Sequence, residues 1–264
     1  MKILLTGHKG FIGSHLLRAL ENDGHDISTF EWDDGNMPSV MEQDWVIHVG
    51  AISSTTEKNV EKVMRQNVDF TIDLYNACKT YGVNFQFASS ASLYGLGSNF
   101  SEDAPVDPKT PYAWSKYLCE RHINKTMGGN TTQIFRYFNV YGPEGEEHKG
   151  NQASPFCQFE KQAKEYGTIK IFEDSENYHR DFIHIDDVVN YHLSFLRKEV
   201  SGTFNIGSGS TLSFLEIAQH VAKKQFSDIR YIPMPENLKS SYQKFTCADM
   251  SKTKSVINFI DNDY

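Results

Sequence analysis

The stretch that most restricts the fold lies at the start of the chain. KILLT (2–6), an apolar run of strand length, passes through GHKGFIG into HLLRALENDG. Gly7, Gly10 and Gly13 punctuate the turn. Phe11, Ile12, Leu16, Leu17 and Leu20 then recur at helical spacing, and Gly24 falls where that helix would stop. Glycines so placed permit a tight turn, let backbone approach a pyrophosphate and let the helix pack close on the strand. The helix N-terminus favours phosphate charge. A purely structural turn is the competing reading, and the position directly after the first strand favours the dinucleotide one. An acid ending the next strand would then accept hydrogen bonds from the adenosine ribose. Glu31 ends DISTFE (26–31), although a strand-end carboxylate is also an ordinary surface charge.

Further along, DWVIHVGA (44–51), NFQFASS (84–90) and TTQIFRYFNVYG (131–142) read as strands, separated by helical patterns over about 59–81 and from Thr110 onward. Strands alternating with helices imply right-handed crossovers and a Rossmann-like, doubly wound parallel sheet. After Tyr141 the texture becomes polar and glycine-containing. Helices over SPFCQFEKQAKEYG and DDVVNYHLSFLRK, strands TIKIFE, GTFNIG and IRYIP, and a capping box SFLE (213–216) follow. We therefore expect an α/β protein with a dinucleotide-binding domain over 1–142, to whose sheet later segments return, and a smaller mixed α/β substrate-binding lobe over 143–264.

In TPYAWSK (110–116), Thr110 can cap a helix and Pro111 suits its first turn. Tyr112 and Lys116, four residues apart, share one helical face. A phenol titrating near ~10 is a poor base at neutral pH, and an adjacent ammonium favours its phenolate. A serine at the end of the NFQFASS strand, Ser90 or Ser89, would lie at the ligand crevice of such a sheet. Each of these is commonplace alone. Their order after the glycine turn, strand-end serine first and Tyr-x-x-x-Lys second, points to a hydride-transfer site.

The formal net charge of −8, without a basic run, argues against a nucleic-acid or anionic-membrane partner. No apolar run approaches the ~20 residues that span a bilayer, and ILLTG is too short for a signal peptide. Cys78, Cys119, Cys157 and Cys247 are too scattered for a zinc site or a disulfide framework, so no metal and a cytoplasmic setting are expected.

Taken together, SSTTE (53–57), ASSASLYG, RYFNVYGP (136–143), EHKGNQAS (147–154), IFEDSENYHRDF (171–182), GTFNIGSG and YQKFTCAD (242–249) resemble the extended short-chain dehydrogenases/reductases. HKG and SENYHRDF are more selective, and they are similar to the ADP-glycero-manno-heptose 6-epimerases. The resemblance implies a redox-neutral epimerisation of a nucleotide sugar, with hydride lent to a nicotinamide cofactor and returned to the other face of the ketone. Ser90, Tyr112 and Lys116 would be catalytic, and Lys149 would match the family's second acid/base. Alone, a lysine in a polar loop reads as solvated.

Phe11, Ile12, Ala51, Asn67 and Val140 match family cofactor positions, beside Gly7, Gly10, Gly13, Glu31 and Lys116. Ser53, Asn139, Asn151, Gln158, Phe172, Glu173, Asp174, Ser175, Arg180 and Tyr242 match substrate positions. A guanidinium at 180 could grip a diphosphate bidentately or pair with Asp181 or Asp186. Analogy also suggests a homo-oligomer built through helices.

The match has gaps. Between Glu31 and Asp44 the family usually fits a further strand and helix, so the sheet should be one strand narrower, with Trp32 available to the adenine. Glu31 favours NAD, while His8 and Lys9 could offer charge to NADP. Asn151, Gln158 and Asp174 stand where relatives carry serine, histidine and glycine, which bears on the sugar. The chain ends soon after CADMSKTK, where relatives continue into another helix. SASLYG lacks the acidic pair of related dehydratases. Other readings are a different nucleotide-sugar epimerase or reductase, or a non-catalytic NAD(P)-binding sensor.

Overall fold

A computed structural model describes residues 1–33, 36–236 and 242–257, with the side chains of His148 and Asn151 outside the description. In chain order the elements are β1 (Lys2–Thr6), α1 (Phe11–Asn22), β2 (Asp26–Phe30), β3 (Trp45–His48), α2 (Val60–Val63), α3 (Phe70–Tyr81), β4 (Asn84–Ser90), α4 (Pro111–Thr126), β5 (Thr132–Tyr137), β6 (Asn139–Tyr141), α5 (Pro155–Tyr166), β7 (Thr168–Phe172), β8 (His179–Arg180), β9 (Phe182–His184), α6 (Ile185–Leu196), β10 (Gly202–Ile206), β11 (Leu212–Ser213), α7 (Phe214–Gln225), β12 (Asp228–Ile232), β13 (Phe245–Thr246) and α8 (Ser251–Val256).

Six strands form one sheet in the order β10-β5-β4-β3-β1-β2, every pair parallel. The inner strands read as continuous apolar runs because both faces are covered: β3 and β5 are buried at every position. On one side the sheet carries Leu4, Val46, Phe85 and Ile134, packed with Leu74, Tyr75 and Ile123. On the other, Ile3, Leu5 and Ile47 pack with Leu16, Leu20, Val189 and Leu196. Thus α6 and β10, though late in the chain, join the first layer. β2 is the edge strand, and no strand or helix is formed by the described residues between 31 and 44, so the sheet is narrower there as the sequence suggested.

The smaller lobe is mixed α/β. The parallel pair β7–β12 is covered by α5 and α7, and Phe159, Ile169, Ile171, Ile217 and Val221 form its core. Ser213 and Glu216 make the capping box that opens α7.

Two elements differ from the sequence reading. The expected strand 131–142 divides at Phe138. There the backbone N–H of Phe138 still reaches Ile206 in the sheet, but that of Asn139 donates to Asp181, and β6 leaves to pair with β9. The helix expected over 59–81 is interrupted by a π-helical turn, Met64–Asp69, which aims Asn67 inward. Neither break has a glycine or proline to announce it.

Candidate active site

Two glycines of the first turn, Gly7 and Gly13, answer steric demands. Gly7 has φ of +76°, and a Cβ there would lie 2.4 Å from Gly50 Cα. A Cβ on Gly13 would lie 2.0 Å from the Gly7 carbonyl oxygen. α1 begins at Gly10 with no side-chain cap and no acid in its first turn, so its leading N–H groups meet no built-in anion. A cleft of about 220 Å³ opens over this cradle. Gly7, Gly10, Phe11, Ile12, Gly13, Glu31, Trp32, Ala51, Ser53 and Lys149 line it. The residues present therefore fit the pyrophosphate and adenosine of a dinucleotide. Gly50, Gln66 and Phe70 also line the cleft and were not foreseen, although a glycine closing the DWVIHVGA strand was a legible signal.

Glu31 Oε1 accepts the Lys9 N–H at 2.7 Å and lies 3.2 Å from His8 Nδ1. The acid is thereby folded back onto the glycine loop, held by the Lys9 backbone and facing the His8 ring.

The second group gathers at the ends of β4 and β5. Thr110 Oγ1 accepts the Ala113 N–H at 3.1 Å, and Pro111 opens the first turn of α4. Lys116 is only 4% exposed; its ammonium donates to the Ala88 carbonyl at 2.8 Å and lies 5.9 Å from the Tyr112 ring. Burial pulls Lys116 down to about 8, with Cys119 and Glu120 acting against it. Tyr112 differs from the sequence reading: burial raises its phenol above the ordinary value, and only a hydrogen bond with Ser90 acts the other way. The ammonium is spent on a backbone carbonyl, so desolvation governs the phenol.

Ser89 and Ser90 are also told apart. Ser89 Oγ points into the interior and donates to Glu120 Oε1 at 2.5 Å, while Glu120 pairs with Arg136 at 2.7 Å. Ser90 is the serine that meets Tyr112.

Asn67 joins the two groups, but through protein rather than open space. Its Oδ1 accepts the Ile52 N–H at 2.8 Å, and its Nδ2 donates to the Ile52 carbonyl and to Ser115 Oγ, both at 3.0 Å. Ser115 Oγ in turn donates to the Tyr112 carbonyl at 2.7 Å. An inward-facing polar residue on a π-turn thus ties Ile52, between the cleft-lining Ala51 and Ser53, to the tyrosine helix. Val140 is half-buried on β6, outside the lining of the cleft.

Lys149 comes from the turn Glu147–Gln152. It is half-buried, and its ammonium stands 4.3 Å from the centre of the Phe11 ring. Burial lowers its pKa, and Glu146 and Cys157 resist that shift.

A second cavity, of about 350 Å³, lies in the smaller lobe. Gln158, Phe172, Ser175 and Tyr242 line it, with Tyr178, Phe214 and Lys170. Arg180 sits beside it, its guanidinium 5.7 Å from the Phe214 ring and 5.5 Å from Tyr242. Among the described residues Arg180 makes no ion pair; it donates to the carbonyls of His179 and Gln243. The alternative pairing with Asp181 or Asp186 does not form. Asp181 accepts the N–H groups of Ser208, Gly209 and Ala248, and Asp186 meets His184. Glu173 and Asp174 are exposed and outside the cavity lining. Asp174 has φ of +62°, a left-handed position that aspartate tolerates better than most residues. Asn139 Nδ2 is occupied by the Asp181 carbonyl at 2.8 Å. The Asn151 side chain lies outside the described residues.

Among the described residues, no helix is long and apolar enough to cross a membrane, and no cluster of His, Cys, Asp and Glu is disposed to hold a metal.

Residues 3–207 match the NAD dependent epimerase/dehydratase family. The chain is 36% identical to an ADP-L-glycero-D-manno-heptose-6-epimerase of Brachyspira hyodysenteriae, over 96% of this chain and 91% of that protein. Its fold is similar to a crystal structure of Helicobacter pylori ADP-L-glycero-D-manno-heptose-6-epimerase, with a TM-score of 0.84 and 24% identity, over 96% of this chain and 89% of that one. It is also similar to MoeE5 in complex with UDP-glucuronic acid and NAD, with a TM-score of 0.82 and 26% identity, over 98% and 93% of the two chains.

Proposed function

The chain belongs to the NAD dependent epimerase/dehydratase family, and from that membership we propose that it is a nucleotide-sugar epimerase inverting C6 of an ADP-glycero-manno-heptose, with NAD as its cofactor. The observation that carries the reading is the Lys149 ammonium in the cleft of the glycine loop, 4.3 Å above Phe11. It gives the cleft a proton-carrying group on an element separate from the one bearing Tyr112. Inversion through a ketone needs such a pair, because the hydroxyl proton leaves from one face and arrives at the other.

In this reading Gly7, Gly10 and Gly13 hold the pyrophosphate at the α1 N-terminus, and Glu31 takes the ribose hydroxyls, which a 2′-phosphate would oppose. Trp32, Ala51 and Phe70 wall the adenosine side. When bound, the nicotinamide would take and return hydride and bring a positive charge toward Tyr112. Tyr112 accepts the substrate hydroxyl proton while Ser90 fixes the phenol. Lys116 holds its own position through Ala88. Lys149 handles the proton on the opposite face, helped by a pKa that burial lowers. The second cavity would take the nucleotide, its aromatic rings covering the base, with Arg180 toward the diphosphate.

A second reading, epimerisation or reduction of a different nucleotide sugar, draws on Gln158, which lines the second cavity where relatives carry histidine.

The test is incubation with ADP-glycero-manno-heptose and an NMR readout of the epimer ratio, for wild type and Lys149→Ala. Wild type should interconvert the epimers, and the variant should bind NAD without doing so. An epimer ratio untouched by wild type removes the heptose assignment.

A further inference from the structure

Lys149 is carried by a short 3₁₀ turn, Glu147–Gln152, that is broken at Gly150, and one buried group fixes both ends of the segment. Glu146 is 2% exposed. Its Oε1 accepts the Gly142 N–H at 3.0 Å and the Ser154 hydroxyl at 2.9 Å, and its Oε2 accepts the Ser154 N–H at 2.6 Å. Gly142 follows β6, and Ser154 is the N-cap of α5. One carboxylate therefore gathers the departure from the main layer and the entry to the smaller lobe. Its own carbonyl accepts the Lys149 N–H at 2.9 Å. Gly145 lies against Phe11, the same ring that faces the Lys149 ammonium.

Resting on the reading of Lys149 as the second acid/base, we propose that Glu146 is its positioning residue: the buried carboxylate holds the loop in register over the glycine turn and supplies the negative charge that keeps the lysine available as a proton donor. A neutral isostere would not do the same, because glutamine has one acceptor oxygen for three donors, and its amide would face N–H groups. The titratable surroundings of Lys149 are few. Glu146 within the loop and Cys157 on α5 both resist the burial-driven fall of its pKa. α1 presents the Phe11 ring, and its His15 and Arg18 are engaged with Glu144. The same carboxylate links Lys149 to the helix that brings Gln158 to the second cavity, so it coordinates the two ends of the substrate.

The test compares wild type, Glu146→Gln and Glu146→Asp. Three quantities are read: NAD affinity, epimerisation kinetics with ADP-glycero-manno-heptose, and the pH profile of Lys149 labelling by acetic anhydride, followed by mass spectrometry. In Glu146→Gln the Lys149 labelling profile should move to lower pH and kcat should fall about tenfold to hundredfold, with KM and NAD affinity little changed. Glu146→Asp should recover part of both. An unchanged labelling profile or an unchanged kcat in Glu146→Gln overturns the proposal. If that variant does not fold, Ser154→Ala, which removes one of the three donors to the carboxylate, decides: kcat should drop a few-fold, and wild-type kcat overturns it. If wild type leaves the heptose untouched, the substrate reading has failed, and the labelling profile alone decides the role of Glu146.

Discussion

The candidate site holds two lysines that reach it by opposite means. Lys116 belongs to α4, four residues beyond Tyr112, and the helix itself fixes the pair; its ammonium is closed off against Ala88. Lys149 sits in a short 3₁₀ turn beside Gly150, at φ of +52°, and has no α-helix to place it. What holds it is a buried carboxylate and the face of Phe11. A periodic element positions a side chain through its own backbone. A loop must borrow that precision from a group that looks unrelated to the chemistry.

The sharpest way to break the comparison is to remove the chemistry on the helical side. Tyr112→Phe should lower epimerisation kcat by about a thousandfold while leaving NAD affinity near wild type, as measured by turnover and cofactor titration. A variant that keeps its rate would mean that the helix does not carry the proton.

Stability should separate the regions next. Glu120→Ala leaves Arg136 charged and buried beneath α4, and should cost about 3–5 kcal/mol in chemical denaturation. Lys149→Ala, on the loop, should cost less than about 1 kcal/mol.

The pH dependence of stability gives a further contrast. Lys116 has a pKa of about 8 in the folded protein against 10.5 as its ordinary value. Below about 8 both states carry the charge, and the burial penalty is felt in full. Between about 8 and 10.5 the unfolded chain binds more protons, so the group's contribution to stability rises with pH. Relative to Lys116→Met, wild type should gain up to about 3 kcal/mol across that window in urea titrations.

The smallest effect tests the helix start. Thr110→Ala removes the cap at 3.1 Å and should cost about 1 kcal/mol, lowering Tm by a few degrees.

Much of the frame was legible because it rests on local rules. Thr110 and Pro111 announce α4, Ser213 and Glu216 announce α7, and Gly7 and Gly13 of the first turn face the steric demands that their spacing implied. Where side chains turn inward through tertiary contact, spacing said less. Nothing in SS (89–90) indicates that one serine faces Glu120 and the other Tyr112. Asn67 was read as facing a ligand, and its amide is used by Ile52 and Ser115, because a π-turn rotates it off the helical surface. For Arg180 the sequence left open a diphosphate grip or a pair with Asp181 or Asp186; Asp181 is captured by backbone N–H groups of the segments after β10 and β13, far away in sequence. Glu146 passed as one more acid in a polar loop. A buried carboxylate is recognised by its donors, and those lie at 142 and 154.

The narrow sheet has a consequence for how copies of this protein meet one another. With β2 outermost, one row of backbone donors and acceptors faces away from the rest of the sheet, a template on which a foreign strand could crystallise into register. The strand that occupies this place is polar where it is exposed, with Asp26, Ser28 and Thr29 outward, and Gln43 reaches back to Ser28 at 3.2 Å. An outermost strand of this kind thus relies on three small polar side chains, which disfavour edge-to-edge pairing between copies.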